Sequence, residues 1–132
     1  MPSASNIVIN DGAATPVAHT FVPLSITPAL STFVNRASAF TPEGFYTLGV
    51  SLNSATPSRH TYKVNLSIAV PVQVQDTDTG LYTVEDTTRC NVEFILPSNV
   101  AKARREDILA FCVNALQNVD VAGYVKDLEP VY

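Results

Sequence analysis

The side chains best suited to chemistry lie in residues 47–53 and 61–67, where polar groups occupy every second position. Hydroxyls and amides predominate, Lys63 lies in the middle of the second segment, and Arg59 and His60 lie in the connection. Such groups hydrogen-bond a ligand, and a lysine among them neutralises an anion. The polar positions of the two segments are Thr47, Ser51, Asn53, Thr61, Lys63, Asn65 and Ser67.

Apolar residues fill the intervening positions, and this strict alternation is typical of β-strands with one buried face. Leu48, Val50 and Leu52 alternate with the first polar row, and Val64 and Leu66 with the second. We therefore predict a β-hairpin with one apolar and one polar face. From periodicity alone, a solvated outer face remains an alternative to a ligand-binding face.

The tripeptide Asp78-Thr79-Gly80 resembles the catalytic motif of homodimeric aspartic proteases. Those enzymes place an apolar strand before the aspartate, whereas here Gln75-Asp76-Thr77 precedes it. Asp76 and Asp78 also lack the glycine spacing and final glutamate of an EF-hand. We expect an acidic loop tip, with no catalytic residue, metal site or cofactor.

The two histidines and two cysteines form no pattern of catalytic or metal-binding spacing. His19 has no metal or nucleophile partner nearby in sequence, and His60 is expected to be an exposed turn residue. Cys90 falls in a strand pattern and Cys112 in a helix pattern, so both are expected to be small buried hydrophobic residues. Together with the absence of a visible signal peptide, this pattern favours a reducing cytoplasm.

The composition indicates a partner that is not held by a broad basic surface. The 132 residues carry a formal net charge of -4, which excludes general adhesion to polyanions but not a local basic patch. With 46% hydrophobic and only 15% charged residues, part of the apolar surface is expected to be covered in an oligomer. No apolar run is long enough to span a bilayer.

The remaining patterns predict an α+β domain. Residues 1–23 are expected to contain a hairpin around Asn10-Asp11-Gly12, and residues 24–96 a sheet that includes a short strand near Phe33. Residues 97–132 are expected to form an amphipathic helix capped by Ser98 and ending near Asn118, then a helix over residues 121–127 capped by Asp120. One antiparallel sheet offers a single apolar face, so helices shared between two subunits are expected to cover it.

Four segments in order along the chain resemble coat proteins of single-stranded RNA bacteriophages. They are ATPVAHTFVP (14–23), TYKVNLSIAVP (61–71), TTRCNVEF (87–94) and DLEPVY (127–132). The resemblance implies a single coat-protein domain: an N-terminal hairpin, a five-stranded antiparallel sheet and two C-terminal helices that interlock in a homodimer. It also implies an icosahedral shell around viral RNA, assembled in the bacterial host cytoplasm, with no membrane involved. The sheet would bind an RNA stem-loop and repress replicase translation.

The resemblance further assigns residues to two sites. The RNA-binding residues would be Thr47, Ser51, Asn53, Arg59, Thr61, Lys63, Asn65, Ser67, Arg89 and Asn91. The inter-subunit loop around the symmetry axes would be Gln75, Asp76, Thr77, Asp78, Thr79, Gly80 and Leu81. Many relatives carry a tyrosine where this chain has Arg89. The loop over residues 75–81 contains no cysteine, so we expect a shell without disulfides between subunits. The alternative is a dimeric RNA-binding regulator that forms no shell.

Overall fold

The computed structural model describes residues 4–37 and 41–130. The chain forms two compact units, Met1–Ile95 and Leu96–Tyr132, and each is described here by itself. Residues 131–132, the end of the predicted C-terminal tail, lie outside the described residues.

The described residues form six strands that follow one another in a single sheet. Each neighbouring pair from the first to the fifth strand is antiparallel. The second strand pairs with the first near its start and with the third near its end, so it joins the N-terminal hairpin to a five-stranded sheet. The strands are β1 (Ile7–Asn10), β2 (Ala18–Ile26), β3 (Leu30–Asn35), β4 (Tyr46–Asn53), β5 (Thr61–Gln75) and β6 (Tyr82–Pro97), with a 3₁₀ turn at Pro42–Gly44.

The core lies on the apolar face of the sheet that the alternation predicts. Phe33 pairs with Leu48, and Leu48 pairs with Ile68, so one apolar row crosses three strands in register. Phe21 is also buried in this cluster. In the described part of the chain, these two phenylalanines, Val34 and Leu48 are the only buried hydrophobic residues, and each keeps 3 to 7% of its surface exposed. This core is small for 132 residues, and much apolar surface stays exposed.

A chain of hydrogen bonds connects the tip of the N-terminal hairpin to β3. The Asp11 carboxylate accepts from the backbone N–H groups of Ala13 and Val17, and its second oxygen lies 3.1 Å from Nε2 of His19. Nδ1 of His19 lies 3.3 Å from the side-chain amide nitrogen of buried Asn35. Sequence reasoning did not find these partners of His19.

The same bonds assign the tautomer of His19. Oδ1 of Asn35 accepts from the backbone N–H of Ala37 at 3.0 Å, so its amide NH₂ faces the histidine ring. Nδ1 of His19 is then the acceptor, and Nε2 carries the proton that it donates to Asp11. His19 therefore links the hairpin to the sheet through both ring nitrogens.

Two helices follow the sheet, α1 (Lys102–Gln117) and α2 (Val119–Lys126), and they are bent by 63° relative to each other. Ser98 does not cap α1, contrary to expectation. Instead, residues 97–100 form a turn closed by the Val100 N–H on the Pro97 carbonyl, and the helix begins after Ala101 without a side-chain cap. The separate turn delays the helix by returning the chain to an extended conformation at Ala101.

Asp120 does not cap α2 either. The side chain of Asn118 accepts from the Asp120 and Val121 N–H groups at 2.9 and 3.5 Å and is the N-cap. Asp120 instead lies in the first turn, where its negative charge faces the positive end of the helix dipole. Thus α2 spans Val119–Lys126 rather than residues 121–127.

The predicted apolar stripe of α1 covers only its C-terminal half. Arg104 and Arg105 lie four residues before Ile108 and Leu109, so helical spacing places them on the same side. Phe111 is 68% exposed, and no residue of either helix is buried. Lys102 pairs with Glu106 at 3.8 Å, as expected for a charged, solvated face. Within the described residues, no single helix is long and apolar enough to cross a bilayer.

The expectation that both cysteines are buried is wrong for Cys90. This strand residue is exposed, whereas Cys112 of α1 is half-buried. Alternation places Cys90 with Val92 and Phe94, but the two later residues are half-buried and Cys90 is not.

We expect the hairpin bonds to make stability depend on pH. The Val17 N–H, then the His19 side chain and the Ala13 N–H, lower the pKa of Asp11 from 3.8 to about 2. Because the pKa of Asp11 is lower in the folded chain than in the unfolded chain, its ionisation stabilises the fold at a pH above the unfolded-state pKa. This contribution is lost as the pH falls from about 4 towards 2. The denaturant midpoint of the native chain should therefore fall more steeply over this range than that of Asp11→Asn. Equal slopes would contradict the assignment.

Candidate nucleic-acid interface

The register between β4 and β5 places the predicted polar residues side by side. Ser51 pairs with Asn65, Asn53 pairs with Lys63, and Gly49 pairs with Ser67. Because directly paired residues point to the same side of a sheet, these side chains share one face, opposite the core. We call this surface, with Thr47 and Thr61 at its ends and Arg89 and Asn91 on β6, the polar face.

The two ends of the polar face differ in their surroundings. Thr47 pairs with Ala69 on one side and with buried Val34 on the other, so it marks an apolar boundary. Thr61 is the first residue of β5 and is half-buried. The polar face is therefore most polar between these positions, around the Ser51–Asn65 and Asn53–Lys63 pairs.

Sequence reasoning missed the contribution of β3. Thr32 pairs with Gly49 and extends the face by one strand, although its hydroxyl already donates to the Ser25 carbonyl at 3.3 Å. A Cβ at Gly49 would lie 3.0 Å from Oγ of Ser67, so glycine permits a close approach of the neighbouring side chain. Residues 30–33, Leu-Ser-Thr-Phe, do not alternate between apolar and polar side chains, so local sequence gave no signal for Thr32.

Arg59 is held in the β4–β5 connection rather than on a strand. Its Nη2 donates to the Ser54 carbonyl at 2.8 Å, and its backbone N–H donates to Oγ1 of Thr56 at 3.0 Å. A guanidinium has five N–H donors in a fixed plane, so the remaining donors stay suited to a phosphate. His60, next in the chain, is exposed in the same connection, as expected.

The β6 residues of the polar face are exposed. Arg89, Asn91 and Glu93 occupy every second position of β6. Oε1 of Glu93 lies 4.0 Å from Nζ of Lys63. Since Lys63 lies on the polar face, this ion pair places Glu93 there, and the period of two places Arg89 and Asn91 beside it. Sequence reasoning did not include Glu93 in the candidate site.

The loop over residues 75–81 is a separate, compact turn. The Asp76 N–H donates to the Leu81 carbonyl, and the Asp76 carboxylate accepts from the Asp78 N–H at 2.8 Å. Gly80 has a φ of 73°, which glycine adopts without strain. β5 extends for about 40 Å between Lys63 and Gln75, so this loop and the polar face are different sites.

Neither carboxylate of this loop belongs to a metal-ligand cluster. Within residues 4–37 and 41–130, no group of three or more histidine, cysteine or acidic side chains is placed to hold a metal ion. The chemistry offered by the polar face is therefore hydrogen bonding by hydroxyls and amides, with cations at Lys63, Arg59 and Arg89. These are the groups that bind phosphates and the edges of unpaired bases.

Comparison with known proteins gives one consistent result. Residues 2–132 match the family described as Levivirus coat protein. The capsid protein of Pseudomonas phage PRR1 is 31% identical over 114 residues, covering 85% of this chain and 84% of that protein.

Two solved structures align with nearly the whole length of this chain. The virus-like particle of bacteriophage ESE058 is 30% identical, with a TM-score of 0.87, and covers 99% of this chain and 100% of its own. The virus-like particle of bacteriophage NT-214 is 28% identical, with a TM-score of 0.86 and the same coverage. The predicted fold class of sheet followed by two helices is thereby confirmed. The chain belongs to the levivirus coat protein family and is a structural capsid protein, not an enzyme.

Proposed function

We propose that this chain builds the icosahedral shell of an RNA phage virion and binds the viral RNA on its polar face. The main observation in favour of shell formation is that residues 2–132 match the levivirus coat protein family. It is supported by the likeness over 99% of the chain to subunits of two virus-like particles. Shell assembly takes place in the bacterial host cytoplasm, where no membrane is involved.

The building block is a homodimer in which two copies pair through β6. This strand is 16 residues long and lies last in the strand order. A long open edge presents a row of unpaired N–H and C=O groups, which a second copy of the strand satisfies. Such pairing joins two sheets and brings Arg89 and Asn91 of both copies to the middle of one surface.

The helices provide the second part of the dimer. Phe111, Leu116 and Val119 are each more than half exposed, and the apolar side of the sheet exposes Val72 and Val74. Covering such residues removes apolar area from water, which stabilises the dimer by about 25 cal/mol for each Å² buried. The helices of the two copies interlock, so dimerisation covers these apolar residues and the chain acts as one coat-protein domain.

RNA binding is supported by the register of the polar face. Lys63, Arg59 and Arg89 neutralise phosphates, whereas the hydroxyls and amides between them bind unpaired bases in a loop or bulge. Arg89 stacks through its guanidinium plane on a base. The dimer binds a stem-loop at the start of the replicase gene. Ribosomes cannot reach the bound RNA, so translation of the replicase is repressed.

The loop over residues 75–81 meets its copies around the symmetry axes of the shell. Its internal hydrogen bonds make it a compact contact element. It contains no cysteine, so these contacts form without disulfides.

Electron microscopy of the purified recombinant protein tests the shell directly. We expect uniform spherical particles whose absorbance at 260 and 280 nm shows enclosed nucleic acid. Dimers alone, eluting far from the void volume of a sizing column, would contradict the coat role and favour an RNA-binding regulator that forms no shell.

The polar face is tested by Lys63→Ala. Removing one charge-assisted hydrogen bond to a phosphate should weaken binding of the stem-loop about tenfold, or about 1.4 kcal/mol. The slope of log affinity against log salt should fall by about 0.7 to 0.9 for each phosphate that the variant no longer neutralises. Filter binding at several salt concentrations measures both quantities.

The matched control is Lys102→Ala, which removes the same charge from α1. This variant should keep the native affinity and salt slope, since Lys102 is paired with Glu106 outside the polar face. Unchanged affinity and slope in Lys63→Ala would show that RNA binds elsewhere.

A further inference from the structure

We propose that Glu93 is a specificity-determining residue that weakens the attraction of Lys63 for phosphate and accepts hydrogen bonds from RNA bases. The inference rests on the proposed RNA-binding function and deepens it. Its starting point is the ion pair between Oε1 of Glu93 and Nζ of Lys63 at 4.0 Å, on the polar face.

The geometry of this pair is loose and accessible. The side chains of Lys63 and Glu93 are 42% and 45% exposed, so a ligand reaches both groups without a rearrangement of the sheet. A half-exposed pair of this kind contributes little to stability. Its larger effect is on what binds, because an anion approaching Lys63 also meets the carboxylate of Glu93.

Phosphate and base respond to that carboxylate in opposite ways. Phosphate oxygens only accept hydrogen bonds and carry negative charge, so Glu93 repels them and weakens the attraction of Lys63. The amino and imino groups of cytosine, adenine and guanine donate hydrogen bonds, which a carboxylate accepts. Glu93 therefore favours a nucleotide whose base, rather than its phosphate, faces this part of β6.

This selection suits a protein whose net charge is -4 but whose polar face carries several cations. Without an anion among them, Lys63 and Arg89 would attract any polyanion. Specificity is a difference between two affinities, and a group that disfavours the wrong ligand increases it as effectively as a contact to the right one.

Two probes separate the effects of phosphate and base. One is linear inorganic polyphosphate of about 20 units, which has phosphates and no bases; the other is a single-stranded RNA of about 20 nucleotides containing all four bases. Their affinities are measured at low salt on full-length protein dissociated from shells and held below the assembly concentration. The variants are Glu93→Gln, its control Glu85→Gln and Lys63→Met.

Glu85→Gln removes the same charge from the same strand, about 26 Å along β6 from Glu93. We expect Glu93→Gln to tighten polyphosphate binding about two- to fivefold, the range of an exposed charge pair, and Glu85→Gln to change it less. RNA binding by Glu93→Gln should be unchanged or weaker, because the neutral amide loses the charge-assisted bonds to bases.

Equal tightening of both probes would overturn the proposal, since Glu93 would then act only as a negative charge. An unchanged affinity for polyphosphate would also overturn it. In both cases RNA binding through the polar face would stand. If Lys63→Met left RNA affinity unchanged, the polar face itself would be wrong, and the role of Glu93 would be rejected with it.

Discussion

The antiparallel register between β4 and β5 is the constraint on which both faces of this sheet depend. Pairing Leu48 with Ile68 aligns the core residues, and the same alignment places Ser51 beside Asn65. Side chains alternate with a period of two, so a slip of one residue would exchange the two faces and expose the apolar row. The core and the candidate RNA surface are therefore fixed by the same backbone hydrogen bonds.

The small core is the physical argument for a second copy. Four buried hydrophobic residues in the described part of the chain make a thin core, while helix residues such as Phe111 remain exposed. Folding must offset about 1–2 kcal/mol of backbone entropy for each ordered residue, mostly by burying apolar area. The proposed homodimer would supply that area, and folding and the first step of assembly would then involve the same contacts.

The proposed RNA binding by an acidic protein requires positive charge that is concentrated where the RNA binds. The polar face provides Lys63 and Arg89, and Arg59 in the adjacent β4–β5 connection is oriented by its bond to the Ser54 carbonyl. Glu93 pairs with Lys63, and in our proposal it limits the attraction for phosphate and gives base contacts more weight. The arrangement matches a surface that selects one RNA rather than coating any polyanion.

Much of this fold follows from the sequence, because alternation fixes which residues share a face and the turn residues fix where strands end. The central hairpin, the short strand at Phe33, the loop over residues 75–81 and the two helices were all predictable on that basis. The exact helix starts were not, because Ser98 and Asp120 are residues typical of caps, whereas a turn at residues 97–100 delays α1 until after Ala101 and Asn118 caps α2. The bond between His19 and Asn35 and the pair between Lys63 and Glu93 join residues far apart in sequence. Local patterns carry no information on such contacts, so only the packing of strands against one another decided them.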